Sequence, residues 1–149
     1  MGNLKLTSSA FEDGGKIPRK YGYKNGNREP PLTMNGVPEG TKSLALIMDD
    51  PDAMGAVGKV WVHWVVWNIP FDQSQDKIGY TRGNEGITDF GEVGYGGPAP
   101  PDKRHTYVFK LYALDSKLEL PDGSTKADLE KAMEGHIIEQ TTLTGTYAP

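Results

Sequence analysis

VWVHWVVWNIP, residues 60–70, is the stretch that decides the fold of this chain. Successive side chains of a β-strand point to opposite faces, and here both faces are apolar. A run of this length that is apolar on both faces is typical of a strand in the middle of a sheet. Strict alternation predicts that the odd-numbered side chains share one face: Trp61, His63, Val65, Trp67 and Ile69. The even-numbered side chains from 62 to 66 then form the other face.

Four further runs indicate strands. SLALIMDD (43–50) and TYVFKLYAL (106–114) are apolar on both faces, whereas LKLTSSAF (4–11) and IIEQTTLTGTY (137–147) are more polar. The 19 glycines and 11 prolines cluster between these runs, as turns do in a strand-rich fold. Only TKADLEKAMEG (125–135) indicates a helix, with Thr125 and Asp128 at capping-box spacing and Gly135 at its end. We predict one mainly β, sandwich-like domain covering residues 1–149.

Composition narrows the classes of function. The chain has 149 residues, a formal net charge of -4 and no cysteine. The charges look interspersed, without a basic block, which argues against a nucleic-acid partner. No stretch approaches the 18 or so apolar residues of a membrane span, and no signal peptide is evident, so we expect a cytoplasmic protein that is not an integral membrane protein. No metal-ligand or cofactor motif is found, and no GxSxG nucleophile motif occurs.

The loop GYGGPAPPDKRHTY, residues 94–107, combines flexible and stiff residues. Its prolines remove backbone donors and disfavour a helix, so GYGG is not the start of a dinucleotide-binding turn. Glycines let backbone N–H groups approach a ligand closely, and prolines hold the loop in one shape. The loop is therefore either a ligand-binding rim or an ordinary rigid surface turn.

Two histidines and an acidic turn flank this loop in the predicted sheet. His63 lies within a central strand, and His105 and Tyr107 point the same way at the start of another. Asp50 and Asp52 lie in the turn DDPDAMG (49–55) that ends a buried strand. Each of these features can be purely structural, as a core histidine or a turn cap. The alternative is that Asp50, His63, His105 and Tyr107 line one cavity.

Three blocks carry a resemblance to a known family. MDDPDAMG (48–55), VWVHWVVWNIP (60–70) and GYGGPAPPDKRHTYVFKLYALD (94–115) resemble the signature blocks of the phosphatidylethanolamine-binding protein (PEBP) family, which includes the Raf kinase inhibitor proteins. The remaining sequence resembles its short bacterial and archaeal branch. The resemblance implies a Greek-key fold of two antiparallel β-sheets with one or two short helices. It also implies a small anion pocket at one end of the central sheet.

The resemblance assigns pocket residues at matching positions of this sequence. They come from the acidic turn, the central strand, the glycine-proline rim and the strand after it: Asp50, Asp52, Trp61, His63, Gly96, Gly97, Pro98, Pro100, Pro101, His105 and Tyr107. Three positions depart from the family pattern. Met54 stands where proline is usual, Thr88 where asparagine is usual, and Thr106 where arginine is usual between the histidine and the tyrosine, so that Lys103 or Arg104 would have to supply that charge.

These observations predict a non-enzymatic binding protein for a phosphate-like anion, such as a phosphorylated headgroup, a nucleotide or a phosphopeptide. By resemblance, a kinase-inhibitor-like regulatory role and a homodimer are further expectations. Two alternatives stay open from the residues alone. One is a hydrolase that uses Asp50 with His63 or His105, and the other is a protein-interaction scaffold with a vestigial pocket.

Overall fold

The structure, a computed structural model, describes residues 2–149. Within them lie four long strands, five short strands, two short α-helices and one turn of 3₁₀ helix. In chain order the elements are β1 (Lys5–Thr7), β2 (Gly15–Lys16), a 3₁₀ helix (Arg19–Tyr21), β3 (Thr33–Asn35), β4 (Ser43–Asp50), α1 (Ala53–Val57), β5 (Trp61–Ile69), β6 (Lys77–Gly79), β7 (Asn84–Glu85), β8 (His105–Leu114), α2 (Lys126–Met133) and β9 (Ile137–Tyr147).

The strands form two sheets, which confirms the predicted mainly β fold. The larger sheet has the order β2-β9-β8-β4-β5-β7, and the smaller has the order β1-β3-β6. Within the larger sheet β8 returns to lie beside β4 rather than beside β7, which gives the strand order of a Greek key. All pairs are antiparallel except β2 with β9, a parallel contact of two residues per strand. Neither described helix of residues 2–149 has the length and apolar character needed to cross a membrane.

Two hydrophobic cores lie on opposite faces of the larger sheet. One fills the space between the sheets and includes Leu44, Met48 and Phe109. The other lies between the larger sheet and α2, and includes Ile47 and Leu129. β4 contributes to both, because its eight residues are all buried. This confirms the sequence interpretation of 43–50 as a strand covered on both faces.

A bulge in β5 contradicts the strict alternation expected for residues 60–70. Met48 of β4 pairs with Trp64, whereas its neighbour Asp49 pairs with Val62. His63 is therefore an extra residue in β5 with no opposite partner, which is the defining feature of a β-bulge. As a result, the side chains of β5 before His63 and those after it alternate between the two faces of the sheet in opposite phase.

The bulge determines which side chains face the site. His63 packs edge-on against Tyr107, with ring centroids 5.1 Å apart, and Tyr107 belongs to the core between the sheets. Trp64 belongs to that same core, although it follows His63 directly. Val65 and Trp67, expected on the face of His63, lie instead in the core beneath α2.

The sequence analysis predicted one of the two α-helices and missed the other. The predicted helix α2 is confirmed, and Thr125 and Asp128 form a reciprocal capping box in which the N3 residue is aspartate. The helix buries Leu129 and Met133 against the sheet. The segment after Asp52 was interpreted as a turn, but Ala53–Val57 forms one helical turn and a half that ends at Gly58 in the left-handed conformation.

Candidate functional site

Four strand ends meet at one end of the larger sheet, and two of them, those of β4 and β5, contribute to the wall of a cavity of about 210 Å³. β4 ends at Asp50, β5 begins at Trp61, β8 begins at His105 and β9 ends at Tyr147. Because neighbouring strands here are antiparallel, these ends are adjacent although they are far apart in sequence. The cavity wall consists of side chains from α1, β4, β5 and two loops: Asp50, Ala53, Ala56, Val57, Trp61, His63, Phe90, Ala99 and Pro101.

Two of the four residues predicted to share a cavity line it directly. Asp50 and His63 are in the wall, whereas His105 and Tyr107 form a layer behind it. The His105 and Tyr107 rings have centroids 6.3 Å apart, and Tyr107 contacts His63. The sheet thus places all four groups on one face around one location.

His63 is held by the backbone of the glycine-rich loop. Its Nδ1 lies 2.6 Å from the carbonyl oxygen of Gly96, and the N–H of Gly96 donates in return to the carbonyl of His63 at 2.8 Å. Only a protonated Nδ1 can donate to a carbonyl, so the tautomer is determined. Burial lowers the pKa of His63, although the bond to Gly96 partly opposes this. The imidazole is therefore neutral near pH 7, with Nε2 as its unprotonated nitrogen.

His105 is enclosed by two carboxylates and is fully buried. Its Nδ1 lies 2.6 Å from Oδ2 of Asp50, and its Nε2 lies 2.7 Å from Oδ1 of Asp102. Contacts this short on both nitrogens favour the doubly protonated, cationic ring. Burial by itself lowers the pKa of His105, but the hydrogen bonds to Asp50 and Asp102 outweigh it and the pKa is raised. Asp102 was missed by the sequence analysis, although it lies three residues before His105 in the quoted loop.

The opposite pKa shifts of the two histidines predict a stability maximum near the unperturbed histidine pKa of about 6.5. The pKa of His105 is raised on folding, so its contribution is complete below that pH and is lost as pH rises through the folded-state pKa. The pKa of His63 is lowered, so stability falls as pH drops below the unfolded value. Urea unfolding at stepped pH measures both limbs. Asp102→Asn should weaken the decline above the maximum, whereas His136→Gln, at an exposed histidine, should not.

The acidic turn is tied to the start of β8. Oδ1 of Asp50 accepts from the N–H of Asp52 at 3.0 Å, and Oδ2 of Asp52 accepts from the N–H of Thr106 at 2.8 Å. Each carboxylate therefore orders the next segment, and both oxygens of Asp50 are used. The described residues 2–149 contain no group of three or more histidine or carboxylate side chains suited to a metal ion.

Two buried donors at the site have no hydrogen-bond partner within residues 2–149: the indole Nε1 of Trp61 and the hydroxyl of Tyr107. Trp61 is in the cavity wall. The Tyr107 hydroxyl lies near Asp50 and the backbone of Ala99, without completing a well-formed bond to either. Burial, with the nearby charge of Asp50, raises the pKa of Tyr107, so the hydroxyl keeps its proton. Buried polar groups without partners are uncommon, and each calls for an explanation.

The glycine-proline loop forms one wall and rests on the segment 21–27. The N–H of Gly97 donates to Oδ1 of Asn27 at 2.7 Å, and the N–H of Tyr23 donates to the carbonyl of Pro98 at 2.9 Å. Pro101 lines the cavity. Pro98 and Pro100 instead line a neighbouring groove on the other side of the loop, and Gly96 and Gly97 act through their backbone.

The three sequence blocks that resemble a known family, residues 48–55, 60–70 and 94–115, thus all contribute to the wall of one cavity. A family model described as phosphatidylethanolamine-binding protein matches residues 7–148. The chain belongs to the phosphatidylethanolamine-binding protein family. It lies in the bacterial and archaeal part of that family, as its relatives show.

Relatives of known sequence and structure cover nearly the whole chain. The UPF0098 protein of Methanothermobacter thermautotrophicus is 45% identical, over 97% of this chain and 98% of the relative. The PEBP homologue CT736 from Chlamydia trachomatis has a TM-score of 0.87 at 39% identity, covering 99% of this chain and 98% of its own. E. coli YbcL, described as a member of the mammalian PEBP family, has a TM-score of 0.85 at 32% identity, covering 98% of each chain.

The three residues that depart from the PEBP pattern lie in three different local environments. Met54 lies on α1 with 55% of its surface exposed. Thr88 accepts from the N–H of Phe90 and donates to the carbonyl of Glu92, both at 3.1 Å, so it stabilises the turn that carries Phe90. Thr106 contributes its backbone N–H to Asp52.

Phe90 is a site residue that the sequence analysis did not single out. Its ring packs edge-on against Trp61 and His63, at centroid distances of 5.6 and 5.3 Å, and stacks on Tyr23 at 4.0 Å. It also lines the cavity. The only signal in the sequence was that Phe90 lies two residues after Thr88, one of the departures from the family pattern. No local pattern reports a contact between residues so distant in sequence.

Proposed function

We propose that the cavity binds a small phosphate-like anion, such as the phosphodiester of a lipid headgroup, without chemical conversion. The observation that carries this proposal is the pair of buried donors without partners, Trp61 Nε1 and Tyr107 hydroxyl, beside His63. Trp61 is in the cavity wall, and the Tyr107 hydroxyl lies directly behind it, beside the wall residues Asp50 and Ala99. A ligand oxygen that accepts between these wall residues would supply the partners that the protein itself does not provide. An anion suits such a site because hydrogen bonds with an ionised partner are the stronger ones.

The charges near the cavity are compatible with a singly charged anion. The carboxylate of Asp50 is in the wall, but the cationic ring of His105 lies 2.6 Å behind it and offsets its charge. The fixed Nδ1 of His63 leaves Nε2 as the nitrogen that can gain a proton when an anion is nearby, since a nearby negative charge raises a histidine pKa. A dianion would meet a less favourable field, because Asp52 and Asp102 add further negative charge.

The size of the cavity supports a small ligand. Its volume of about 210 Å³ is below the roughly 300–1,000 Å³ typical of sites for drug-sized molecules. A headgroup phosphate with a short substituent is compatible with this volume, whereas a complete nucleotide would have to extend outside it. We therefore prefer a headgroup over a nucleotide among the ligands considered from the sequence.

The hydrolase alternative gains no specific support from the geometry. Both nitrogens of His105 already engage carboxylates, so the ring has no free nitrogen with which to activate a nucleophile. His63 retains Nε2, but no serine or threonine hydroxyl lies in the cavity wall. Kinase-inhibitor-like regulation, a homodimer and a cytoplasmic location remain predictions on which these distances do not bear.

Tyr107→Phe should weaken binding of glycerophosphoethanolamine by about ten- to a hundredfold, because a hydrogen bond to a charged group contributes roughly 1.5–3 kcal/mol. The same change should leave the unliganded protein as stable as the wild type or slightly more stable, since it removes a buried hydroxyl without a partner. Calorimetric titration and urea unfolding measure the two effects.

Tyr80→Phe is the matched control. Tyr80 also has a buried hydroxyl without a partner within residues 2–149, but its ring packs against Trp64, whereas the Tyr107 ring packs against His63 of the cavity wall. It should gain stability similarly and leave ligand affinity unchanged. Equal affinity in the wild type and Tyr107→Phe would contradict the proposed role of the hydroxyl, and no measurable binding by the wild type would contradict the proposed function.

A further inference from the structure

One side of the cavity is bounded by the rim segment, residues 99–103 of the glycine-proline loop, which leads into β8. Hydrogen bonds anchor the residues on either side of it. The carbonyl of Pro98 accepts from a backbone N–H at 2.9 Å, and Arg104 donates to a hydroxyl of β9 at 3.2 Å. In the part of the chain that the structure describes, the rim segment itself has one hydrogen bond to the sheet, between Asp102 and His105 at 2.7 Å. This contact is therefore the point at which the rim segment is tied to the sheet.

Both contacts of His105 require a ring that carries two protons. Its Nδ1 faces Asp50 and its Nε2 faces Asp102, at 2.6 and 2.7 Å. A neutral imidazole has one N–H donor and one lone pair. After the loss of a proton, one ring nitrogen would present its lone pair to a carboxylate oxygen at this short distance, and two acceptors repel each other. One of the two carboxylates then has to move away.

Burial determines which carboxylate moves. The side chain of Asp50 is 4% exposed, and its other oxygen already accepts from the N–H of Asp52. Separating Asp50 from the ring would leave a buried charge without its partner, which is costly. The side chain of Asp102 is 44% exposed, so water can replace His105 as its hydrogen-bond partner. The neutral ring therefore keeps its Nδ1–H on Asp50, and Asp102 is released.

We propose that Asp50, His105 and Asp102 form a pH-sensitive latch on the rim of the cavity. When the ring is protonated, the latch is closed and the rim segment is fixed to the sheet. Loss of a proton from the buried ring releases Asp102 and frees the rim segment to move away from the cavity. A buried histidine is suited to this task, because its charge changes near neutral pH and can bias an element that has two states.

The latch should open on the alkaline side of neutrality. Burial by itself lowers the pKa of His105, but the hydrogen bonds to Asp50 and Asp102 outweigh burial and the pKa is raised. The ring therefore keeps its second proton at the ordinary histidine pKa of about 6.5 and loses it at higher pH.

No other side chain replaces these two carboxylates as a partner of the ring. The charged or titratable groups around His105 come from the acidic turn, the loop, β5, β8 and β9: Asp52, Lys103, Arg104, His63, Tyr107 and Tyr147. None of them is hydrogen-bonded to the ring within residues 2–149, and α1 carries no titratable side chain. The two cations are exposed, so solvent screens their charges. The protonation of the ring therefore follows mainly from Asp50 and Asp102.

The test is NMR of the full chain labelled with carbon-13 at its alanine methyl groups, titrated from about pH 6 to about pH 9.5 together with the His105 ring. Ala99 reports on the rim segment, whereas Ala53 and Ala56 report on the part of the cavity wall that α1 provides. As the ring loses its proton, the order parameter of the Ala99 methyl axis should fall from about 0.85 to below about 0.6. The order parameters of Ala53 and Ala56 should not change.

Two substitutions of Asp102 should have opposite effects. The amide of Asp102→Asn can accept from Nε2–H of the charged ring and can donate to the bare Nε2 of the neutral ring, so Ala99 should stay ordered at every pH. Asp102→Ala offers the ring no partner, so Ala99 should be mobile at every pH. Asp115→Asn changes the same kind of contact in an exposed pair with His136 and should reproduce the wild-type pH step.

The consequence for ligand exchange rests on the proposed function, whereas the latch itself does not. Raising the pH from about 6 to about 8.5 should accelerate dissociation of glycerophosphoethanolamine from the wild type roughly tenfold more than from Asp102→Asn, since a released rim no longer closes the cavity. Absence of headgroup binding would contradict the proposed function and leave the NMR titration to decide the latch.

Three results would overturn the latch. In the first, the Ala99 methyl stays ordered while the His105 ring loses its proton. In the second, the ring remains charged up to about pH 9.5, so that no switch operates near neutral pH. In the third, Ala99 is as ordered in Asp102→Ala as in the wild type at low pH, which would show that the contact does not hold the rim segment.

Discussion

Gly97→Ala should destabilise the protein by about 3 kcal/mol and abolish measurable headgroup binding, because over-packed sites cost roughly 1–3 kcal/mol or more. A Cβ at this position would lie 2.1 Å from the carbonyl oxygen of Tyr21 and 2.9 Å from Gly22 C and Tyr23 N. All three are backbone atoms, so no side-chain rotation relieves the contact. The loop 98–101 would separate from the segment that supports it, and the bond from Gly97 to Asn27 would be lost. Urea unfolding and calorimetric titration measure the two losses.

Gly55→Ala is the control for that substitution. Gly55 lies within α1 near the same cavity, and a Cβ there would meet nothing within 4 Å. Alanine has a higher helix propensity than glycine by roughly 0.5–1 kcal/mol, so stability should be equal or slightly higher. A Gly97→Ala protein as stable as the wild type would show that the loop does not depend on this close approach.

Asp50→Asn should cost about 3 kcal/mol, in the range measured when one partner of a buried ion pair is removed. Asp50 accepts through one oxygen from Asp52 and through the other from His105. An asparagine has one acceptor oxygen, so its NH₂ group must face one of these two donors. The cationic form of His105 also loses one of its two carboxylates. Urea unfolding at pH 6, where that ring is protonated, measures the loss.

The exposed pair Asp115 and His136 provides the comparison. Their side chains are 52% and 44% exposed, and Nδ1 of His136 lies 2.8 Å from Oδ1 of Asp115. Asp115→Asn should cost less than about 1 kcal/mol, because exposed pairs are screened by solvent. The same histidine–carboxylate contact thus has different energetic consequences in two environments. Equal costs for the two substitutions would contradict the special role of the buried pair.

The long elements were predictable because their patterns are local. Residues 43–50 and 137–147 form strands with the predicted bounds, and the helix that begins after Thr125 has the predicted cap. Burial on both faces and capping-box spacing are read within one element, without knowledge of its partners. For the same reason the family could be inferred from blocks of sequence, and the family match confirms it.

The residues of the candidate site could be proposed from the sequence, but their arrangement in space could not. The Asp50, His63, His105 and Tyr107 side chains do gather around one location, but two of them stand behind the cavity wall. Phe90, Asn27 and Asp102 were missed because each acts on a partner through space or through a backbone bond.

By itself the sequence determined the four long strands, the longer helix and the family of the chain, since periodicity and motif spacing depend on neighbouring residues. The short strands β2, β3, β6 and β7 carry no such pattern and were not predicted. Only the tertiary structure decided which face His63 occupies. The extra residue in β5 arises from its pairing with β4, where Met48 and Asp49 oppose Trp64 and Val62. Because the side-chain period of a strand is two, one unpaired residue exchanges the faces of the residues that follow it, so Val65 and Trp67 leave the face of His63. A second register shift between Val66 and Ile69 then returns Ile69 to that face. The contacts of His63 with Gly96 and Tyr107 follow from that register. The register depends on the pairing of β5 with β4, so it cannot be predicted from residue spacing along the chain.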